Sequence, residues 1–496
     1  MKLLLPLLFL FYYTHLTSGL NIVFYHSCVA QSHMTVLSNI INTLISAGHT
    51  VDLVVGRMQP KARVDSEGVR NVVVVDFPNM DSPWNRIGYL NDAFEDSYSR
   101  NPFKQTVFNF YMDSNEELCP LVLDSPEVHE LLSSNKYDIG MVVAFDFCGV
   151  GLLHQYGVKP VLSYVAGVLF WFQIVHGGYP ELPLYENMIV ETTDHIDRSI
   201  FSNRIFDMTR AIYARWKHNR HAERAACYLI YLTELFQSRY GKDFPDVRQL
   251  AQAITFDFVN SNAVLDEPRP ISSRTKFIGG LGLTKPKQLN EQFSNILISA
   301  KKGTVLFSFG TQVPPQHIKP NVLAAFRDAF TALPDYNFIW KFDGTTDMNS
   351  SNIFNVKWLP QTDILYDKRI VGFISHMGMN SFVESSFAGV PFICVPLFVD
   401  QFHIARQAVR LGTGIKVDKS QLSTQTITQA LSQLLNDPLY KKTAIDLSTK
   451  LTNNPDTAER VLLEAVEFAA KHKDLHKHFL LEGVHYNFFS AHGYDV

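Results

Sequence analysis

The stretch NIVFYH (Asn21 to His26), a short polar loop reaching Ser32-His33-Met34, a run ending at Gly48, and then VDLVV (Val51 to Val55) decide the architecture. NIVFYH reads as a buried strand. Val36, Leu37, Ile40, Ile41, Leu44 and Ile45 fall in two adjacent helical rows, one apolar stripe that stops at Gly48, a residue suited to a helix C-terminus. Strand, helix and strand within about 35 residues make a βαβ unit, whose right-handed crossover requires parallel strands. Further strands are expected at Asn71 to Asp76, Ile139 to Phe145 and Val161 to Tyr164, with helical stretches between them.

Working outward, residues 261–290 hold Pro268, Pro270, Gly279, Gly280, Gly282 and Pro286 and read as a linker. A second series then opens with TVLFSFG (Thr304 to Gly310). It continues through Asn337 to Phe342, Ile353 to Trp358, Val371 to Ser375 and Pro391 to Pro396. The fold class is therefore α/β, as two facing Rossmann-like domains with the active site in the cleft between them. Residues 20–260 form the N-terminal domain and 291–450 the C-terminal one. Helices of 451–496 are expected to pack back toward the first.

A chain of 496 residues exceeds the roughly 250 to 300 at which one core stops growing, which agrees with two domains. With 44 basic against 48 acidic residues and no long basic run, nucleic acid is not an expected partner. Lys2, the apolar run Leu3 to Tyr13 and the small residues Thr17-Ser18-Gly19 read as a secretory signal peptide over 1–19. Endoplasmic reticulum lumen or secretion is the expected location. Asn349-Ser350-Ser351 is a glycosylation acceptor consistent with that route. The five cysteines are odd in number, so at least one thiol stays unpaired, and their spacing suggests no metal site.

In an open parallel sheet, nucleotides bind where strands end and helices begin, because backbone N–H groups and helix dipoles converge there. The second half places WLPQTDIL (358–365), ISHMGMNSFVE (374–384) and GVPFICVPLFVDQ (389–401) at such ends. In order and spacing these segments resemble the donor signature of the UDP-glycosyltransferases, in particular their animal glucuronosyltransferase-like branch. The resemblance implies a GT-B type fold and a UDP-sugar co-substrate, with no cofactor. It implies that Trp358 stacks on uracil, Gln361 bonds the base or ribose, and Glu384 accepts from ribose hydroxyls. His376, Gly378, Asn380 and Ser381 would face the diphosphate, with Ser308, Gly310 and Thr311 approaching from the other side, while Asp400 and Gln401 would hold the sugar. Met377 departs from the family's usual glycine.

The same resemblance makes His33 the general base that deprotonates the acceptor hydroxyl, a task suited to imidazole. Asp146 is the candidate to orient it, although counting back from Pro160 puts Ala144 at the family's aspartate position. No Asp-x-Asp triplet occurs, so metal-independent, inverting transfer is expected, with helix dipole and side-chain donors stabilising the leaving diphosphate. UDP-glucuronate or UDP-glucose is the implied donor. A small lipophilic molecule is the implied acceptor, for which Phe170, Trp171 and Phe172 beside His176 supply aromatic lining. Animal members carry a membrane-spanning helix near their end; the residues through HYNFFSAHGYDV contain none. Membrane association and self-association stay open. Two rivals also stand: a UDP-sugar-binding protein of this fold without transfer activity, and an epimerase that needs no acceptor.

Overall fold

The computed structural model describes residues 19–28, 30–58, 67–77, 93–94, 105–144, 146–169, 201–202, 205, 224, 226–269, 271–283, 286–311, 313, 318–342, 344 and 350–481. The leader-like residues 1–18, the aromatic cluster Phe170 to Phe172 with His176, and Asn349 lie outside them. Among the described residues no helix is long and apolar enough to cross a membrane.

The first half runs β1 (Asn21–Cys28), α1 (Gln31–Ser46), β2 (Thr50–Arg57), β3 (Asn71–Asp76), α2 (Gln105–Asp124), α3 (Pro126–Ser134), β4 (Ile139–Val143), α4 (Cys148–Gln155), β5 (Val161–Val165), a helix α5 over 226–240, α6 (Val247–Gln252), β6 (Asp257–Val259) and β7 (Thr275–Phe277). Its seven strands are all parallel, in the order β3-β2-β1-β4-β5-β6-β7. The expected opening unit is present. In α1 the stripe Val36, Leu37, Ile40, Ile41 and Leu44 is buried, and the helix stops as Gly48 takes φ 91°. The amide of Gly48 reaches the Ile45 carbonyl at 2.9 Å and that of His49 reaches Leu44 at 3.1 Å, so the last carbonyls are satisfied.

The second half runs α7 (Glu291–Ser299), β8 (Thr304–Ser308), α8 (Pro320–Thr331), β9 (Asn337–Lys341), β10 (Ile353–Val356), α9 (Gln361–Leu365), β11 (Ile370–Ser375), α10 (Met379–Ala388), β12 (Phe392–Cys394), α11 (Gln401–Arg410), β13 (Gly414–Lys416), α12 (Thr424–Asn436), α13 (Pro438–Thr452) and α14 (Ala458–Lys471). The order β10-β9-β8-β11-β12-β13 is again wholly parallel. Strands β4 and β8 are buried at every position, because helices cover both faces of such a sheet. On one face Phe307, Phe326, Phe330 and Trp340 interlock, with ring centroids 4.6 to 5.8 Å apart for the pairs Phe307 makes with the other three and Phe330 with Trp340.

Strand β7 falls inside the range read as linker, so the first sheet reaches further along the chain than the proline-glycine pattern suggested. The two halves then meet in a shared core, where Ala144, Val165, Leu169 and Val259 belong to one cluster with Met377, Met379 and Phe382. After α13 the chain turns back. Leu462, Ala465, Val466 and Ala469 of α14 join Ile22, Phe24, Leu37 and Phe258 in the core of the first half.

Cys119 and Cys148 form a disulfide that ties α2 to the first turn of α4, while Cys28, Cys227 and Cys394 are free thiols. The bridge joins positions 29 apart, so chain-entropy arguments assign it about 3.6 kcal/mol. Replacing both cysteines by serine is expected to lower the denaturant midpoint by an amount equivalent to roughly that figure; an unchanged midpoint would show that the bridge does not constrain the unfolded chain.

Candidate active site at the two switch points

Both sheets reverse their strand order once, between β1 and β4 and between β8 and β11. At such a point neighbouring crossovers leave on opposite faces, and a crevice opens beyond the strand ends. The expected site residues lie at or beyond the C-terminal ends of β1 and β4 in the first sheet and of β8, β10, β11 and β12 in the second.

In the second sheet, Ser308 ends β8 opposite Ser375, which ends β11. The two strands finish with the same local device. The Ser308 hydroxyl accepts from the Gly310 amide at 3.1 Å, and the Ser375 hydroxyl accepts from the Met377 amide at 3.0 Å. Gly310 has φ 75° and Met377 has φ 66°, so the residue at the family's glycine position holds a backbone conformation that favours glycine. Its side chain is fully buried, which anchors the strained residue. Between the loops lies His376. A Cβ added at Gly310 or Gly378 would stand 2.6 or 2.7 Å from this ring, so two glycines allow the loops to close around it. Burial, reinforced by the Lys341 ammonium, pushes the imidazole down to about 4 and keeps it neutral, and its Nδ1 is buried without a hydrogen-bond partner. Thr311 follows on the exposed side.

Beside this crevice Gln361 opens α9, and its amide donates to Ser381 Oγ at 3.1 Å and Glu384 Oε2 at 2.9 Å. Burial raises the Glu384 carboxyl, and the hydrogen bonds from Gln361 and Thr362 oppose that rise. Trp358 is 72% exposed, an unusual state for the largest apolar side chain and one that leaves its indole face open. Lys341, at the end of β9, places Nζ 3.4 Å from the Gly310 carbonyl, and its charge acts on both Glu384 and His376. This lysine is not among the residues the sequence marks for the site. Its only signal was a basic residue at the C-terminal end of an apolar strand.

The third loop leads into α11. Gln401 Oε1 accepts from the amides of Leu397 at 2.9 Å and Phe398 at 3.1 Å, so its oxygen braces the loop's own backbone. Val399 is held at φ 55°, and burial pushes the neighbouring Asp400 carboxyl up to about 6.

At the first sheet's crevice, α1 begins just beyond β1 and carries His33 in its opening turn. Burial pushes this imidazole down to about 4. Asp146 lies buried beyond the end of β4, where its carboxylate accepts from the hydroxyls of Tyr25 and Tyr228, each at 2.8 Å, and from the Cys148 amide at 2.9 Å. Ser27 adds a further hydrogen bond, and burial still raises the carboxyl. A Cβ on Gly149 would meet the Tyr25 ring at 2.3 Å, so this glycine lets α4 approach the tyrosine that holds Asp146.

One residue joins the two crevices. Asn380, in the first turn of α10, donates through Nδ2 to the carbonyl of Ser32 at 3.4 Å, and its Oδ1 accepts from Asn260 at 2.7 Å. The N-terminus of α10 therefore faces the residue preceding His33.

The chain matches a known family. The model for "UDP-glucoronosyl and UDP-glucosyl transferase" fits residues 24–496. The chain belongs to this family. Among relatives of this UDP-glycosyltransferase, UDP-glucuronosyltransferase 2B1 of Rattus norvegicus is 25% identical over 94% of this chain and 87% of its own length. UDP-glucosyltransferase 2 of Dactylopius coccus is 24% identical over 90% and 83%. Crystal structures of the calicheamicin glycosyltransferase CalG4 (TM-score 0.61, 17% identity, 92% of this chain and 99% of that one) and of the glycosyltransferase VinC (TM-score 0.60, 15% identity, 91% and 100%) share the fold. The UDP-glycosyltransferase thus has the two-sheet GT-B architecture.

Because Gly310 combines a left-handed backbone with contact to His376, Gly310→Ala is expected to destabilise the protein by about 1–3 kcal/mol. Gly157→Ala, at φ 70° with no atom within 4 Å of the added Cβ, isolates the backbone strain and serves as a comparison in thermal unfolding. Equal stability of Gly310→Ala and wild type would mean that the His376 loops do not close as described.

Proposed function

We propose that this UDP-glycosyltransferase transfers a hexosyl or glucuronosyl group from a UDP-sugar to a hydroxyl of a small lipophilic acceptor, by direct inverting displacement. The observation that carries the reading is the Asn380 bridge, because it sets the donor-side helix start against the His33 turn. Trp358 offers its open face to uracil, Glu384 and Gln361 take the ribose, and the helix start at Gly378, Asn380 and Ser381 with His376 receives the diphosphate. Lys341 adds a positive charge on that side as the leaving group gains negative charge. Asp400 and Gln401 hold the sugar.

His33 is the general base. Its depressed pKa keeps the ring neutral at physiological pH, which is the form that accepts the acceptor's proton. Both glucuronosyl and glucosyl transferases occur among the relatives, which supports either donor. A lumenal location is supported by the leader-like start and by the Cys119–Cys148 bridge, since disulfides persist in oxidising compartments. One observation favours the non-transferring alternative: the Asp146 carboxylate is engaged by Tyr25, Tyr228, Ser27 and the Cys148 amide. UDP release with and without a phenolic acceptor separates the two.

A mass-spectrometric assay pairing the purified chain with several UDP-sugars and a mixture of phenols should yield a glycoside. His33→Ala should lower kcat about 10²- to 10⁴-fold with UDP binding retained. Trp358→Ala should weaken UDP binding by about 1–3 kcal/mol, yet move stability by less than about 0.5 kcal/mol. A His33→Ala enzyme with wild-type kcat would remove the proposed base.

The pH profile carries a second test. Above pH 6 Asp400 is ionised and His33 neutral, the forms the reaction needs. As pH falls through about 6, Asp400 gains a proton and loses acceptor capacity while His33 stays neutral until about 4. The acid limb of kcat/KM should therefore centre near 6, and Asp400→Asn should show lower kcat/KM at neutral pH with no step there. A limb that persists in Asp400→Asn would assign it to another group.

A further inference from the structure

Helix α11 begins with the residues assigned to the sugar, and its following turns reach the segment that leaves β6. His403 Nε2 lies 3.2 Å from Asp266 Oδ1. Arg406 places one guanidinium nitrogen 3.0 Å from His403 Nδ1 and 3.2 Å from Glu267 Oε2. Arginine can only donate, so His403 Nδ1 must accept, and the ring proton sits on Nε2 toward Asp266. One turn further, Arg410 donates to the Asp266 carbonyl at 2.9 Å. Asp266, His403 and Arg406 are all buried.

The same aspartate is held from the first half. Arg269 lies 3.8 Å from Asp266 Oδ2 and donates to the carbonyl of Leu169, just beyond β5, at 3.3 Å. A continuous set of contacts thus runs from the end of β5 through Arg269, Asp266 and His403 into α11. None of Trp358, Gln361 or Glu384 belongs to it, since they sit in the segments 358–365 and 374–384.

We propose that His403, fixed between Asp266 and Arg406, is a positioning residue for the sugar end of the donor site. A neutral imidazole with one donating and one accepting nitrogen sets the rotation of α11 about its axis, and with it the aim of Asp400 and Gln401 at the helix start. The proposal rests on the reading of those two residues as sugar ligands. Displacements of an ångström at a positioned group are enough to cost two orders of magnitude in rate, so a modest helix rotation is sufficient. Because the uridine and diphosphate contacts come from other elements, the effect should be confined to the sugar.

The test compares calorimetric titrations of UDP with those of UDP-glucose and UDP-glucuronate on the full chain. With His403→Phe, the Kd for UDP should stay within about twofold, while the Kd for the preferred UDP-sugar rises about tenfold or more. His403→Gln, whose amide can donate to Asp266 and accept from Arg406, should recover most of the loss. Should His403→Phe fail to fold, Asp266→Asn, which keeps the side-chain shape, takes the same two-ligand comparison with the same expected split. Equal weakening of UDP and UDP-sugar, or no weakening of the sugar nucleotide, overturns the proposal. A wild-type chain that binds no UDP overturns instead the donor-site reading beneath it.

Discussion

Everything in this molecule follows from the handedness of the βαβ crossover. Parallel strands put every C-terminal end on the same edge of the sheet, right-handed crossovers fix which face each helix covers, and a single reversal of strand order therefore opens one crevice along that edge. With β1 beside β4 in one half and β8 beside β11 in the other, there are two crevices and no further choice about where backbone amides converge. The side chains discussed above are decoration on that constraint. The bridge from Asn380 to the Ser32 carbonyl sets one crevice against the other.

The electrostatics follow from closing such a site. His33, His376 and Asp400 have pKa values moved toward their neutral forms, and burial is the leading cause in each case. A neutral imidazole suits the role proposed for His33, which is to accept a proton. An imidazolium at His33 would already hold the proton it is meant to take.

Much of this was legible in the sequence for physical reasons. Strands buried on both faces read as apolar runs, and the stripe of α1 with its terminal Gly48 gave both the helix and its end. β6, β7 and β13 were not legible as strands, because three residues cannot display a period and these are not flanked on both sides by apolar residues, as the equally short β12 is, and β7 lay among the prolines and glycines read as linker. At the site, Met377 stood out as a departure from glycine, but only the backbone angle shows that methionine adopts the glycine-like conformation. Lys341 carried almost no signal, and the pairing of His403 with Asp266 spans 137 positions and cannot be seen without the fold. Asp146 is legible as a candidate to orient His33, but the tyrosines that hold it, at positions 25 and 228, come from segments remote in sequence.

The return of α14 to the first core has a mechanical meaning. A chain that passes between two lobes once leaves them free to swing in any direction about a flexible point. Here the polypeptide passes twice, after β7 and again between α13 and α14, whose residues Leu462 and Val466 are fully buried in the first lobe. Two crossings define a line. Motion of the lobes away from that line strains one connection or the other, and turning about it must part the side chains the halves share, Val165 and Val259 from Met377 and Phe382.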